Sequence, residues 1–217
     1  MLRLVIFDCD GVLVNSEPVA NKIVAQALSD EGWVLTSHQA DALFLGMTLP
    51  DMVPVIEARL GRPLSPGWCD ALVDAVLRAM KTDTTAIPGG IEALLAVTKL
   101  GLPWRIASNS SHAEMVVKFA CIGASRLVAG RLHSFEDVPR GKPAPDLFFA
   151  TAVAEGVAPE DCLVIEDSTT GARAAAAAGM RCFGYAPIDG GLALAAVGAI
   201  PFTSMFDLPK LIAAIPR

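Results

Sequence analysis

A chain of 217 residues with 53% hydrophobic and only 18% charged side chains can bury a substantial core, which excludes a disordered or low-complexity protein. Its formal net charge is −6 and it has no run of Lys or Arg, so nucleic acid and anionic membranes are excluded as expected partners. The apolar stretches are broken by charge, Gly or Pro well short of a bilayer span, and Met1 to Val5 runs directly into a strand pattern without a leader. Five cysteines (Cys9, Cys69, Cys121, Cys162 and Cys182) stand singly with no CxxC, as reduced packing thiols in a cytoplasm do. A soluble cytoplasmic protein, a monomer or weak dimer, is expected.

In chain order, residues 2–7 form a short apolar run of the kind buried on both faces of a parallel sheet. Helical periodicity alone follows from about residue 16 to residue 84. Val19, Ile23, Val24, Ala27 and Leu28 mark one stripe; Trp68, Leu72, Val73, Val76, Leu77 and Met80 mark another. Turn signals divide the stretch at Gly32, Gly46, Leu49-Pro50 and residues 61–66. A single crossover helix needs far fewer than these roughly seventy residues, so the spacing predicts a helical module inserted after the first strand. Its linkers fall near residues 12–16 and 83–88.

Strand and helix patterns then alternate. A helix over 91–100 stops at Gly101, and strands are predicted over 104–108, 162–165 and 181–184. Ser111 with Glu114 makes a capping-box pattern, a helix over 145–155 ends at Gly156, and an alanine run over 174–178 ends at Gly179. The predicted fold is α/β: a Rossmann-like parallel sheet with helices on both faces, formed by residues 1–15 and 85–217, carrying a helical insert over 16–84.

Four polar clusters fall at the carboxyl ends of predicted strands, the edge at which open α/β sheets bind ligands. Asp8-Cys9-Asp10-Gly11 places two carboxylates where a buried strand ends, a costly arrangement unless a cation compensates it. Ser108-Asn109-Ser110-Ser111 offers hydroxyls, amides and a helix start to an oxyanion, although the same residues are ordinary helix caps. Pro143 and Pro145 stiffen the loop that carries Lys142, favouring a placed charge over a solvated one. Glu166-Asp167-Ser168-Thr169-Thr170-Gly171 supplies a second acidic pair. Two such pairs, with no His or Cys cluster, suit a hard cation of the magnesium type. His38, His112 and His133 lie away from these clusters and receive no role.

The order DxDG, then SN, then GKPxPD, then EDSxxG resembles the four motifs of the haloacid dehalogenase-like superfamily, over the whole chain. The insert after the first motif resembles that of the subfamily with a helical cap, in its β-phosphoglucomutase and sugar-phosphatase branch. The resemblance implies a phosphatase acting on a small phosphorylated metabolite, such as a sugar phosphate or a phosphosugar acid like 6-phosphogluconate, with Mg2+ as cofactor. It implies Asp8 as the nucleophile that becomes an aspartyl phosphate, and Asp10 as general acid–base whose backbone carbonyl also meets the metal. Ser108 and the amide of Asn109 would hold the phosphoryl oxygens. Lys142 would bridge that group and Asp8, and Asp167 with Glu166 would complete the metal site.

The presence of Asp10 separates the chain from the haloacid dehalogenases proper, which lack it. A mutase of the β-phosphoglucomutase type is the main alternative, and a catalytically silent protein of the same fold is the other. The mutase has a histidine where this chain has Ala20, which favours hydrolysis. Asn15 stands where the family usually has Asp. Selectivity is assigned to the cap, chiefly the turn containing Gly46, Met47 and Thr48 and the helix starting near Glu17.

Overall fold

The computed structural model describes residues 1–44, 47 and 49–215. Its first half runs β1 (Leu4–Phe7), β2 (Val14–Asn15), α1 (Glu17–Asp30), α2 (Ser37–Phe44), α3 (Leu49–Leu60), α4 (Trp68–Asp83), β3 (Thr85–Ala86) and α5 (Gly90–Lys99). The second half runs β4 (Trp104–Ser108), α6 (His112–Cys121), α7 (Ser125–Val128), β5 (Leu132–Ser134), α8 (Asp146–Ala154), β6 (Cys162–Glu166), α9 (Thr169–Ala177), β7 (Arg181–Tyr185), α10 (Leu192–Ala196), β8 (Ile200–Phe202) and α11 (Leu208–Ala213).

The six long-range strands form one parallel sheet in the order β5-β4-β1-β6-β7-β8. All four residues of β1 are buried, as an uninterrupted Leu-Val-Ile-Phe run requires when helices cover both faces. Successive side chains serve opposite layers: Val5 and Phe7 pack with Leu94, Ile106 and Phe119, whereas Leu4 and Ile6 pack with Phe148, Val164 and Ala175. The strand that carries the first acidic pair is thus held between β4 and β6, the strands that carry two of the other clusters. The α/β class and the helices on both faces are as the sequence indicates.

Between β2 and β3, helices α1 to α4 gather a separate apolar cluster around Leu28, Ile56, Leu72, Val76 and Met80. The two chain segments leading in and out pair antiparallel, Val14 opposite Ala86 and Asn15 opposite Thr85. On its other side α4 packs against α6, whose Val117 joins the helical cluster. Leu49-Pro50, read above as a turn, instead opens α3. Proline is tolerated in a first helical turn because the N–H it lacks would have no intrahelical partner there. Among the described residues, no helix is long and apolar enough to cross a membrane.

Candidate active site

At the carboxyl edge of β1 the chain leaves the sheet, but the amide of Asp8 still donates to the Ile165 carbonyl at 2.9 Å and keeps Asp8 beside β6. Its carboxylate is buried, with Oδ1 2.6 Å from Lys142 Nζ. That ammonium also donates to Glu166 Oε1 at 2.7 Å and to the Ala107 carbonyl at 2.8 Å. Asn109 holds the lysine in place through its backbone. The Asn109 side-chain amide donates to the Lys142 carbonyl, and its oxygen accepts from the Lys142 amide, both at 2.9 Å. The Lys142–Pro143 peptide bond is cis.

Glu166 is tied down as firmly. Its second oxygen accepts from the amides of Asp167 and Ser168 at 3.0 Å and from the Ser168 hydroxyl at 2.9 Å. The start of α9 leaves room for it only because residue 171 is glycine, where a Cβ would stand 1.6 Å from Glu166 Oε1. Asp167 lies equally close over Gly11, which combines a φ of 72° with a position where a Cβ would meet Asp167 Oδ2 at 1.8 Å.

Oxygens of Asp8, Glu166 and Asp167 lie within 4.8 Å of one another, with the Lys142 ammonium between Asp8 and Glu166. Burial pushes the Asp8 carboxyl up to about 8, with Glu166 and Asp10 adding to the rise and Lys142 opposing it. Asp167 is pushed well above the ordinary carboxylate range by burial, then by Glu166 and Asp8. Burial works against the Lys142 ammonium, but Asp8 and Glu166 outweigh it and leave that group more basic than usual.

Asp10 lines the same cavity but is held by a different set of donors. One of its oxygens, Oδ1, accepts from the Ser16 hydroxyl and from Lys118 Nζ at 2.8 Å. The other, Oδ2, accepts from Ser110 Oγ at 2.8 Å and from Ser108 Oγ at 3.4 Å. Burial alone would raise its pKa; the Lys118 charge and the bonds from Lys118, Ser16 and Ser110 bring it below the ordinary value. The capping box at the start of α6 forms as the sequence indicates, Ser111 Oγ accepting from the Glu114 amide at 3.2 Å. It fixes the helix on which Lys118 rides.

One cavity of about 540 Å³ is lined by Asp8, Asp10, Ser108, Asn109 and Lys142, and also by Glu166, Asp167 and Met47. These predicted residues, drawn from every motif, therefore converge. Gly46 and Thr48 lie outside the described residues. The far wall is apolar, with Val24, Phe44, Leu72, Val76 and Met80, and beside it stand Glu17, Asn21 and Asp41. Asn21 donates to Asp41 Oδ1 at 2.8 Å. Arg140, next to the lysine motif, pairs with Asp146 at the surface.

Sequence reasoning missed Lys118, Ser110 as a partner of Asp10, and the Asn21–Asp41 pair beside Glu17, although it pointed the helix that starts near Glu17 toward the site. A signal for Lys118 existed. Met115, Lys118 and Phe119 occupy one face of α6, so a lysine stands in an apolar helical stripe, a position that is costly unless it is paired.

A family model for haloacid dehalogenase-like hydrolases matches residues 2–179, and the chain belongs to that family. It is 27% identical to the 6-phosphogluconate phosphatase of Escherichia coli K12, over 97% of this chain and 94% of that one. It is 29% identical to hexitol phosphatase A of the same organism, over 85% of this chain and 83% of that one. A family hydrolase from Deinococcus radiodurans R1, solved with bound phosphate and sodium, superposes with a TM-score of 0.80 at 32% identity, covering 98% of this chain and 95% of that chain.

Proposed function

We propose that this protein is a magnesium-dependent phosphatase that cleaves a sugar or sugar-alcohol phosphate through an aspartyl phosphate on Asp8. The observation that carries the reading is the Asp8 carboxylate at the end of the central strand, gripped by Lys142 at 2.6 Å, with Asp10 lining the same cavity. In this scheme an Asp8 oxygen attacks phosphorus, the bond from phosphorus to the substrate oxygen breaks, and Asp10 gives that oxygen its proton. Water then attacks the aspartyl phosphate, its proton passes to Asp10, and Asp8 is restored. Lys142 orients the nucleophile and offsets charge on the transferring group, and Ser108 with the Asn109 amide receives its oxygens.

The residues fit a magnesium ion. Asp8, Glu166 and Asp167 are three carboxylates around one ammonium, all the donors are oxygen, and burial strains the charged forms of Asp8 and Asp167. We assign the ion to Asp8, Asp167 and the Asp10 carbonyl. Glu166, whose two oxygens already take four hydrogen bonds, mainly braces Lys142. When bound, the ion supplies the positive charge that phosphoryl transfer needs.

The leaving-group end of the cavity supports a neutral, hydroxylated substrate. Among the described residues, its lining cations are Lys118 and Lys142, both already facing carboxylates, while Glu17 and Asp41 add negative charge. A phosphosugar acid would bring its carboxylate toward two others. Ala20 lines the cavity at the position where the mutase branch has histidine, which supports hydrolysis over return transfer. Residues 16–84 act in this reading as a cap that covers the site and excludes water.

The test is phosphate release from a panel of hexitol phosphates, hexose phosphates, 6-phosphogluconate and nucleotides, with magnesium and with a chelator. Turnover should depend on magnesium and favour the neutral polyol esters. Asp8→Asn should lose at least about a thousandfold in kcat and trap no acid-stable phosphoenzyme. Turnover that survives in Asp8→Asn overturns the covalent route, and glucose 6-phosphate formed from β-glucose 1-phosphate identifies a mutase.

A further inference from the structure

We infer that Lys118 is a positioning residue for the hydrolytic half of the reaction, fixing the Asp10 carboxylate where it accepts a proton from water. The inference rests on the reading of Asp10 as the acid–base group, and extends it to a helix that carries none of the family motifs quoted above.

Asp10 sits in a short turn beyond β1, where Gly11 takes a positive φ, and its own segment restrains its side chain through the Ser16 hydroxyl, which donates to Oδ1. The charged part of the restraint comes from α6. Lys118 is 2% exposed, and its Nζ donates to Asp10 Oδ1 at 2.8 Å and to Ser110 Oγ at 2.7 Å. Ser110 in turn donates to Asp10 Oδ2 at 2.8 Å, so one ammonium holds both carboxylate oxygens, one directly and one through a hydroxyl. Ser110 is itself anchored, its carbonyl accepting from the buried Ser134 hydroxyl at 2.7 Å. A buried ammonium is costly unless it is paired and hydrogen-bonded. Met115 and Phe119, its neighbours on that helical face, belong to the core, so packing alone calls for an apolar residue at position 118.

The chemical consequence falls unequally on the two steps. With 2,4-dinitrophenyl phosphate the leaving oxygen needs no proton, so phosphorylation of Asp8 proceeds without Asp10. Hydrolysis of the aspartyl phosphate still needs a base within reach of the attacking water. A misplacement of about 1 Å costs such a step on the order of a hundredfold.

Rapid-quench kinetics of the magnesium-loaded enzyme with 2,4-dinitrophenyl phosphate separate the two rates. In Lys118→Met, phosphorylation should stay within about threefold of the parent while hydrolysis slows by about thirty- to a hundredfold. The visible result is a burst of dinitrophenolate approaching one equivalent per active site, with phosphoenzyme accumulating. A merely structural role would lower both rates or the active fraction together, and that outcome overturns the inference. Should Lys118→Met fail to fold, Ser110→Ala removes the second arm of the same grip and should show the same split in smaller measure; no split there overturns the inference too. Asp10→Asn is the benchmark. A split in Asp10→Asn but not in the other two variants defeats the role of Lys118 alone, whereas no split in Asp10→Asn defeats the acid–base reading and takes the inference with it.

Discussion

Glu17 shows how one carboxyl registers the whole site. It begins α1, lines the cavity, and is pushed up to about 7 by burial first, then by the negative charges of Asp10, Asp41 and Glu166, with Lys118 opposing. A carboxyl that is a weaker acid in the folded chain than its ordinary value of 4.5 favours folding while protonated. That advantage is complete below the unfolded value and is lost as pH rises through 4.5 to about 7. Glu17→Gln keeps the shape and removes the titration. Its melting temperature should match the parent at pH 4.5 and exceed it at pH 8, by an amount equivalent to at most about 3 kcal/mol. Equal melting temperatures across the range would mean that Glu17 is solvated rather than pressed against the other acids.

Gly171 carries an opposite lesson, because its position in α9 reverses the ordinary helix preference. Gly→Ala inside a helix normally stabilises by about 1 kcal/mol. Here the new Cβ would collide with a Glu166 carboxylate that four hydrogen bonds prevent from moving. Gly171→Ala should therefore destabilise by about 2–4 kcal/mol in chemical denaturation, and should lower kcat through displacement of Lys142. The same element scale separates what was legible in the sequence from what was not. β1, β4, β6 and β7 announced themselves as apolar runs because the inner strands of a parallel sheet are covered on both faces. β5 and β8 did not: each is a three-residue edge strand with only one buried residue, so neither length nor hydropathy marks it. Asp8, Asp10, Lys142, Glu166 and Asp167 were legible because strand ends and turn residues flank them, whereas Ser108 and Asn109 were told from ordinary helix caps only by the order of the four motifs. Lys118 stands out in mid-helix only as a lysine on an apolar face, and its role depends on a partner far away in the chain. Asn21 and Asp41 were not legible at all, because only the packing of α1 beside α2 brings them together near Glu17.

For the molecule as a whole, the cavity is shared between two separately packed parts. In the proposed function the sheet edge treats the phosphoryl group, while α1 to α4 line much of the remainder. Charge on that second wall should therefore move the ranking of substrates without touching the chemistry. Asp41→Asn is expected to raise kcat/KM for 6-phosphogluconate by about three- to tenfold relative to a hexitol phosphate, with p-nitrophenyl phosphate unchanged. An equal effect on all three substrates would assign Asp41 to structure.

The central position of β1 has one more consequence, which concerns time rather than space. Its two neighbours in the sheet begin at Trp104 and Cys162, so β1 leaves the ribosome well before its first partner, β4, and longer still before its second, β6. At ordinary synthesis rates it waits on the order of ten seconds for Cys162. Helices α1 to α4 depend mainly on contacts within residues 17–83, and can assemble before β4 has been made. A nascent chain thus carries the helices of residues 17–83 beside a Leu-Val-Ile-Phe segment that has no sheet partner until β4 arrives and keeps one open edge until β6 does.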